Sequence, residues 1–134
     1  MRQLDATVSV SGQIAPQEVA GLKAQGVTMI VNNRPDGEEE GQPAGADIRR
    51  AAEQAGIAYR SIPIARGIGP AEAEAMREAI ADAGDGHMLA FCRSGTRSAL
   101  AWALAKKAAG GSRAEIEADA ARAGVDLRPV EHLL

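Results

Sequence analysis

Apolar positions along this chain gather into short runs, separated by longer stretches in which they recur every three or four residues, which is the pattern of strands alternating with helices. A weak alternation over Val8 to Val10 predicts a first strand, broken by Ser11-Gly12-Gln13. Ala15-Pro16 then opens a helix of about ten residues with proline at the favoured first turn and Val19, Leu22 and Lys23 on one face. Gly26 closes it. The continuous apolar run Val27-Thr28-Met29-Ile30-Val31 predicts a strand covered on both faces, and Asn32 to Pro43 is a polar loop rich in turn formers. A helix follows from Ala44 to Ala55 with Gly56 as its C-cap residue, then a strand from Ile57 to Ile64 that Pro63 ends. Gly67-Ile68-Gly69 gives a flexible connection to a helix from Pro70 to about Ala83. The short run His87 to Phe91 is the last strand. Ser98 to Ala109 is a helix, and a final helix starts at Ser112, where Ser112 and Glu115 form a capping-box pattern, and ends near Gly124. No internal repeat is present. Strands and helices alternating at these lengths predict an α/β fold with a mostly parallel sheet flanked by helices, and in such sheets ligands bind outside the carboxyl ends of the strands.

Composition narrows the picture in three ways. The 134 residues are long enough for one core and too short for two, so a single domain over 1–134 is expected. Hydrophobic residues make up 46% but aromatics only 2%, so Ala, Val, Ile, Leu and Met must fill the interior. A net charge of −3 leaves no basic stripe for a nucleic-acid backbone, and no apolar run is long enough for a membrane span. With no leader-like apolar segment at the amino end, a cytoplasmic location is expected. No cofactor is called for. The one cysteine excludes an intramolecular disulfide and a cysteine-rich zinc site, and it provides no internal resolving thiol.

That cysteine is the chain's strongest chemical signal. It opens Cys92-Arg93-Ser94-Gly95-Thr96-Arg97-Ser98, between an apolar strand and an alanine-rich helix. The small residues let successive backbone N–H groups turn inward, the helix adds its positive end, and Arg97 offers a planar fork of donors. Such surroundings lower a thiol from about 8.5 to roughly 3.5–7.5 and make a nucleophile at neutral pH. A buried structural cysteine is the plain alternative, but it requires neither a glycine-containing polar loop nor two nearby arginines. Cys92, Arg97 and Ser98 are therefore the expected catalytic residues, and Arg93, Ser94, Gly95 and Thr96 the substrate-binding ones.

The loop resembles two enzyme families. Tyrosine-phosphatase-like enzymes space their cysteine and arginine as C-x5-R, whereas single-domain rhodaneses commonly show C-R-S-G-x-R-S; here four residues separate Cys92 from Arg97, as in the rhodanese form. Taken together, Val10-Ser11-Gly12-Gln13, the first helix–strand unit, Asn32-Asn33-Arg34-Pro35-Asp36-Gly37-Glu38 and the Cys92 loop resemble the beta-lactamase-hydrolase-like family of phosphatase-like domains over about the first 110 residues. The resemblance implies a scaffold of the dual-specificity tyrosine-phosphatase type. Some members of that family are fused to metallo-hydrolase domains linked to persulfide oxidation, so its chemistry spans phosphatase and sulfurtransferase readings.

Three departures from the phosphatase pattern stand out. Ala65-Arg66 occupies the place after Ile62-Pro63-Ile64 where dual-specificity phosphatases usually carry an aspartate acid, and a cation cannot protonate a leaving phenolate. Phe91 stands before the cysteine in place of the usual histidine, and the loop is one residue short. Sulfur transfer tolerates all three. The sequence therefore favours a sulfurtransferase that forms a Cys92 persulfide and passes its sulfur to an external thiol acceptor. A phosphomonoester or phosphoprotein phosphatase working through a phosphocysteine is the rival, and a non-enzymatic anion-binding or redox-sensing module the third reading. The expected partners are a small anionic substrate (persulfide, thiosulfate or phosphate ester) and that thiol. Asp36 and the Glu38-Glu39-Glu40 run are the acid candidates, although acidic residues on a polar loop are ordinarily just solvated. Arg34 and Arg66 could widen the positive field. His87 reads as a buried, packed residue and Trp102 as core, while His132 has no readable role.

Overall fold

The structure is a computed structural model that describes residues 1–134. Its centre is a five-stranded sheet ordered β1-β2-β5-β3-β4, with β1 Arg2–Gln3, β2 Val8–Ser11, β3 Met29–Asn32, β4 Ala58–Ser61 and β5 Met88–Phe91. Only β1 runs antiparallel to its neighbour; β2, β5, β3 and β4 are mutually parallel, and Val10, Ala90 and Val31 lie side by side in register. The expected mostly parallel α/β sheet is thus present. The two-residue strand β1 went unpredicted because Arg2 and Gln3 are exposed and carry no apolar pattern.

Period-two alternation in the central strands builds a core on each face. Met88 and Ala90 of β5 join Val8, Val10, Met29 and Val31 under the helices α3 Pro70–Ala83, α4 Thr96–Ala108 and α5 Arg113–Arg122. Leu89 and Phe91 point the other way, with Ile30, into a smaller core under α1 Val19–Ala24 and α2 Gly45–Ala55. All four residues of β5 are buried, as a central strand covered on both faces requires. The edge strand β4 is only partly buried and its regular pairing spans four residues of the eight predicted; beyond it Pro63 has no amide to donate, while the Ile62 and Ile64 amides still reach Asn32 O and Asn33 O, each at 2.9 Å.

Two predicted helices differ at their starts. The segment after Pro16 begins as a 3₁₀ turn over Pro16–Glu18, in which the Ala15 amide is held by the Glu18 carboxylate, and becomes α-helical only at Val19. Helix α4 begins at Thr96, two residues earlier than Ser98, so the reactive loop feeds directly into its first turn. In α5, Ser112 Oγ accepts the Glu115 amide at 3.1 Å, as its capping pattern predicts.

Trp102 is fully buried on α4, and its indole N–H donates to Asp5 Oδ2 at 2.9 Å. The other Asp5 oxygen accepts the amides of Thr7 and Val8, so one carboxylate ties the turn before β2 to the helix behind the reactive loop. Replacing Trp102 by Phe keeps an aromatic ring in the core but removes a hydrogen bond to a carboxylate, leaving Asp5 Oδ2 with the longer Lys106 pair at 3.7 Å, and should cost about 1–3 kcal/mol of folding stability in urea titrations followed by circular dichroism. Trp102→Ala, which also opens a cavity, should cost about 3–5 kcal/mol in the same assay.

Candidate active site

The carboxyl ends of β5, β3 and β2 converge where Phe91 hands over to Cys92. The Cys92 amide donates to Ser11 O at 3.4 Å and the Asn33 amide to Phe91 O at 2.8 Å, so both neighbouring strands hold the entry to the loop. Two glycines allow the close approach. A Cβ on Gly12 would lie 2.9 Å from Arg93 O, and Gly95 has φ +95° with its would-be Cβ 3.3 Å from Ser11 O. Ser11-Gly12-Gln13, which breaks the first strand, is the wall against which the reactive loop packs, with the Gln13 amide donating to Arg93 O at 3.3 Å.

Cys92 is fully buried, with 0% of its surface exposed. Its Sγ accepts the Gly95 amide at 3.1 Å. Burial pushes the thiol up, but the amides of Ser98, Ser94 and Gly95, with the Ser98 hydroxyl, outweigh it and bring the thiol below its ordinary value. The hydroxyl cannot serve the sulfur and its other partner with the same proton. Ser98 Oγ donates its single proton to Asn33 Oδ1 at 2.7 Å, and Asn33 Nδ2 donates to Ile62 O at 3.0 Å, so the amide orientation leaves Oδ1 facing Ser98 as acceptor. The backbone amides are therefore the main anion hold. Asn33, buried at 0% exposure, is a site residue that the sequence offers only as part of a polar loop; its position directly after β3 is the available signal.

Arg97 reaches the same place. It is raised above its ordinary value, first by hydrogen bonding to Glu38 and then, against partial burial, by the charges of Glu38 and Cys92 and a hydrogen bond to the sulfur. Its Nη1 donates to Glu38 Oε2 at 2.7 Å and to Ile64 O at 2.6 Å, and its Nη2 to Glu38 Oε1 at 2.9 Å. Arg34 approaches Glu38 from the other side, Nε to Oε1 at 2.9 Å, with Nη1 on Gln13 Oε1 at 3.0 Å. Unlike a surface cation, Arg34 is 4% exposed, and its Nη2 is buried with no hydrogen-bond partner. Held chiefly by Arg97 and then by Arg34 against the cost of burial, the Glu38 carboxyl is lowered to about 2.

The remaining candidates divide. Ser94 and Gly95 contribute amides to the sulfur, while Ser94 Oγ donates to Thr96 Oγ1 at 3.2 Å on the exposed rim. Arg93 turns outward, 68% exposed, and pairs with Glu39 at 3.3 Å. The arginine at 66 is exposed and its guanidinium makes no hydrogen bond or ion pair, so no contact ties it to the loop. Asp36 is not delivered to the sulfur: Oδ1 accepts the Gly45 amide at 2.8 Å and caps the start of α2 from outside the helix. It lines a separate cavity of about 370 Å³ with Arg34, Arg49, Tyr59 and Ser61, and Cys92 is not on that cavity's wall. His87 precedes β5 rather than lying buried within it; half-exposed, it meets Ser9 Oγ through Nε2 at 2.8 Å. His132 is exposed in a final 3₁₀ turn over Glu131–Leu133. No helix is long and apolar enough to cross a membrane.

Residues 1–110 match the model of the "Beta-lactamase hydrolase-like protein, phosphatase-like domain" family. A beta-lactamase hydrolase-like protein of Xylella fastidiosa is 38% identical over 122 residues, which are 90% of this chain but 28% of that protein. The chain thus spans under a third of the curated relatives it matches. A candidate phosphatase of known structure from Neisseria meningitidis superposes with a TM-score of 0.81 at 34% identity, over 98% of this chain and 93% of that one. Pseudomonas aeruginosa TpbA in complex with phosphotyrosine shares the fold, with a TM-score of 0.60 at 20% identity over 96% and 86% of the two chains. With a tyrosine-phosphatase-like sheet and the reactive loop between β5 and α4, the chain belongs to the beta-lactamase hydrolase-like, phosphatase-like domain family.

Proposed function

We propose that this protein is a thiolate enzyme that moves sulfane sulfur through a persulfide on Cys92. One observation carries the reading: none of the four carboxylates put forward as an acid is placed as one, Glu39 being paired with Arg93 on the rim and Glu40 being exposed. Glu38, with its carboxyl lowered to about 2, is ionised at neutral pH and engaged by two arginines, and Asp36 is spent on the amide of Gly45. A thiolate without a positioned acid suits a reaction whose leaving group departs readily as an anion.

Sulfur transfer is such a reaction. The Cys92 thiolate attacks the outer sulfur of a donor R–S–SH; the new Cys92 S–S bond forms as the donor S–S bond breaks, and the electron pair leaves on R–S⁻. An acceptor thiolate then attacks the outer sulfur of the Cys92 persulfide, forming its own persulfide and restoring the Cys92 thiolate. The Gly95 amide and its neighbours on Sγ are suited to holding negative charge on both the resting thiolate and the persulfide.

A second reading is hydrolysis of phosphate monoesters through a phosphocysteine. The family's description and the phosphatase designation of the Neisseria meningitidis structure favour it, and none of the relatives named above is called a sulfurtransferase. With no acid in place, that chemistry would be confined to esters with good leaving groups, such as aryl phosphates.

Offered a glutathione persulfide and an acceptor thiol, the protein should transfer sulfur, and Cys92→Ser should lower the rate by at least about a thousandfold. Cysteine-dependent release of phosphate from an aryl phosphate, with no sulfur transfer, would overturn the assignment in favour of the phosphatase. The nucleophile itself is tested by the pH dependence of alkylation with iodoacetamide. The inflection should lie below the ordinary thiol value, and Gly95→Ala, which forces a side chain into a left-handed backbone and disturbs the amide on Sγ, should move it upward.

A further inference from the structure

Strand β1 has no place in the hydrophobic pattern, yet its pairing holds Arg2 against the reactive loop. The antiparallel register sets Arg2 opposite Val10, one residue before the Ser11 carbonyl that accepts the Cys92 amide. Arg2 Nη2 lies 3.7 Å from the point where a Cβ on Gly95 would stand. The Gly95 amide is itself 3.1 Å from Sγ, so this nitrogen is no more than about 9 Å from the sulfur. Arg2 Nη1 donates to Gly124 O at 3.3 Å; its other N–H groups make no hydrogen bond and no carboxylate pairs with it.

The sheet order puts Arg2 and Arg97 on opposite flanks of the sulfur. Cys92 follows β5, which lies between β2 and β3. Arg2 approaches from the β1 and β2 side, whereas Arg97 is held on the other side, by Glu38 after β3 and Ile64 O after β4. Those bonds take both Nη1 hydrogens of Arg97 and one on Nη2. The Nε hydrogen and the second Nη2 hydrogen remain, side by side on one edge, as a fork for an oxyanion.

The charge balance turns on Arg2. Arg97 and Arg34 share the Glu38 carboxylate, and Arg93 pairs with Glu39 on the rim. Once Cys92 is a thiolate, those three arginines face three negative groups, and the set is neutral. Arg2 tips it positive, as the one arginine against the loop that no carboxylate balances.

We infer that Arg2 is a specificity-determining residue of the Cys92 site: from the β1 flank it supplies the unbalanced positive charge that draws anions to the free edge of Arg97, and it favours them in proportion to their negative charge. The inference rests on the thiolate-enzyme reading of the site and applies to a sulfur donor or a phosphate ester alike. Anion binding is measured without turnover, so its failure and that of sulfur transfer are read separately. Because Coulomb attraction is linear in the ligand's charge, losing Arg2 should weaken a dianion by about the square of the factor for a monoanion of similar shape.

The test measures protection of Cys92 from iodoacetamide, a neutral reagent, by sulfate, a tetrahedral dianion, and by methanesulfonate, its singly charged counterpart. Ionic strength is held fixed, since the field of an exposed guanidinium is screened by salt. Arg2→Gln should raise the half-protecting concentration at least about fivefold for sulfate and about twofold for methanesulfonate. Arg2→Lys keeps the charge and should stay within about twofold of the wild type for both. Lys107→Gln removes an equal charge about 16 Å along α4 from Thr96 and should shift neither. Thermal melting followed by circular dichroism reports whether the variants fold, and Arg2→Met substitutes if Arg2→Gln does not. Unchanged sulfate protection in the folded variant would overturn the inference. So would an equal factor for the two anions, which would mean a disturbed Gly95 rather than a lost charge, or an equal shift in Lys107→Gln, which would make it a property of overall charge. Absence of sulfur transfer, with the sulfate shift intact, would retire the sulfur reading and leave the role of Arg2 standing.

Discussion

The interaction on which this structure turns is the one between a buried sulfur and the backbone amides at the head of α4. A thiolate with no exposed surface is costly unless the protein supplies what water would have supplied. Here the supply is mainly backbone, from Ser94, Gly95 and Ser98, with the Arg97 guanidinium beside it. Backbone donors are fixed by the fold and need no reorganisation when charge moves, so they suit a group whose charge must persist through a reaction. They also demand a tight path for the chain, which constrains everything nearby.

Those demands explain the fold's least tolerant positions. The loop curls tightly enough that Gly95 sits in the left-handed region, and the chain after β2 must pass so close that only hydrogen fits at Gly12. A parallel sheet makes this arrangement possible. Putting β5 between β2 and β3 brings Ser11 and Asn33 to either side of Cys92, and both carry the hydrogen bonds that fix where the loop begins. Behind it, α4 is buried from Ser98 through Ala105, its small alanines letting the helix lie close to the sheet and its single Trp102 filling the remaining space and reaching Asp5. The scarcity of aromatic residues is met by close approach of backbone elements.

Much of this was legible in the residues alone, because local patterns carry it. The apolar runs located the four parallel strands, proline and glycine located the helix ends, and the spacing from Cys92 to Arg97 marked the loop between β5 and α4. What was not legible depends on pairs distant in sequence. Arg34 reads as a cation widening the field of the site, on a par with Arg66, until the fold buries it at 4% exposure against Gln13 and Glu38. Glu38 reads as one of three interchangeable glutamates, yet only it closes on Arg97, while Glu39 meets Arg93 on the rim. Asp36 reads as a candidate acid until Gly45 comes within 2.8 Å of it. A charge pattern says which residues can pair, and only the fold selects the pairs.

That selection bears on how a phosphatase-like scaffold can host different chemistry. The sheet, the loop position and the arginine are general equipment for holding an anion next to a thiolate, and they say little about which anion. The discriminating terms are smaller: the number of free N–H groups on one guanidinium, the net charge within a few ångströms of sulfur, and the presence or absence of a protonated acid. In this chain Arg97 gives three of its five N–H groups to Glu38 and Ile64 O, and the Glu38 carboxylate that could have been an acid is held ionised by the two arginines it pairs with. One side chain therefore orients the guanidinium and is itself withdrawn as a proton donor to a leaving group. A thiolate site with an oriented arginine and no acid among its contacts is matched to leaving groups that depart without needing a proton, whether a thiolate or the alcohol of an activated phosphate ester.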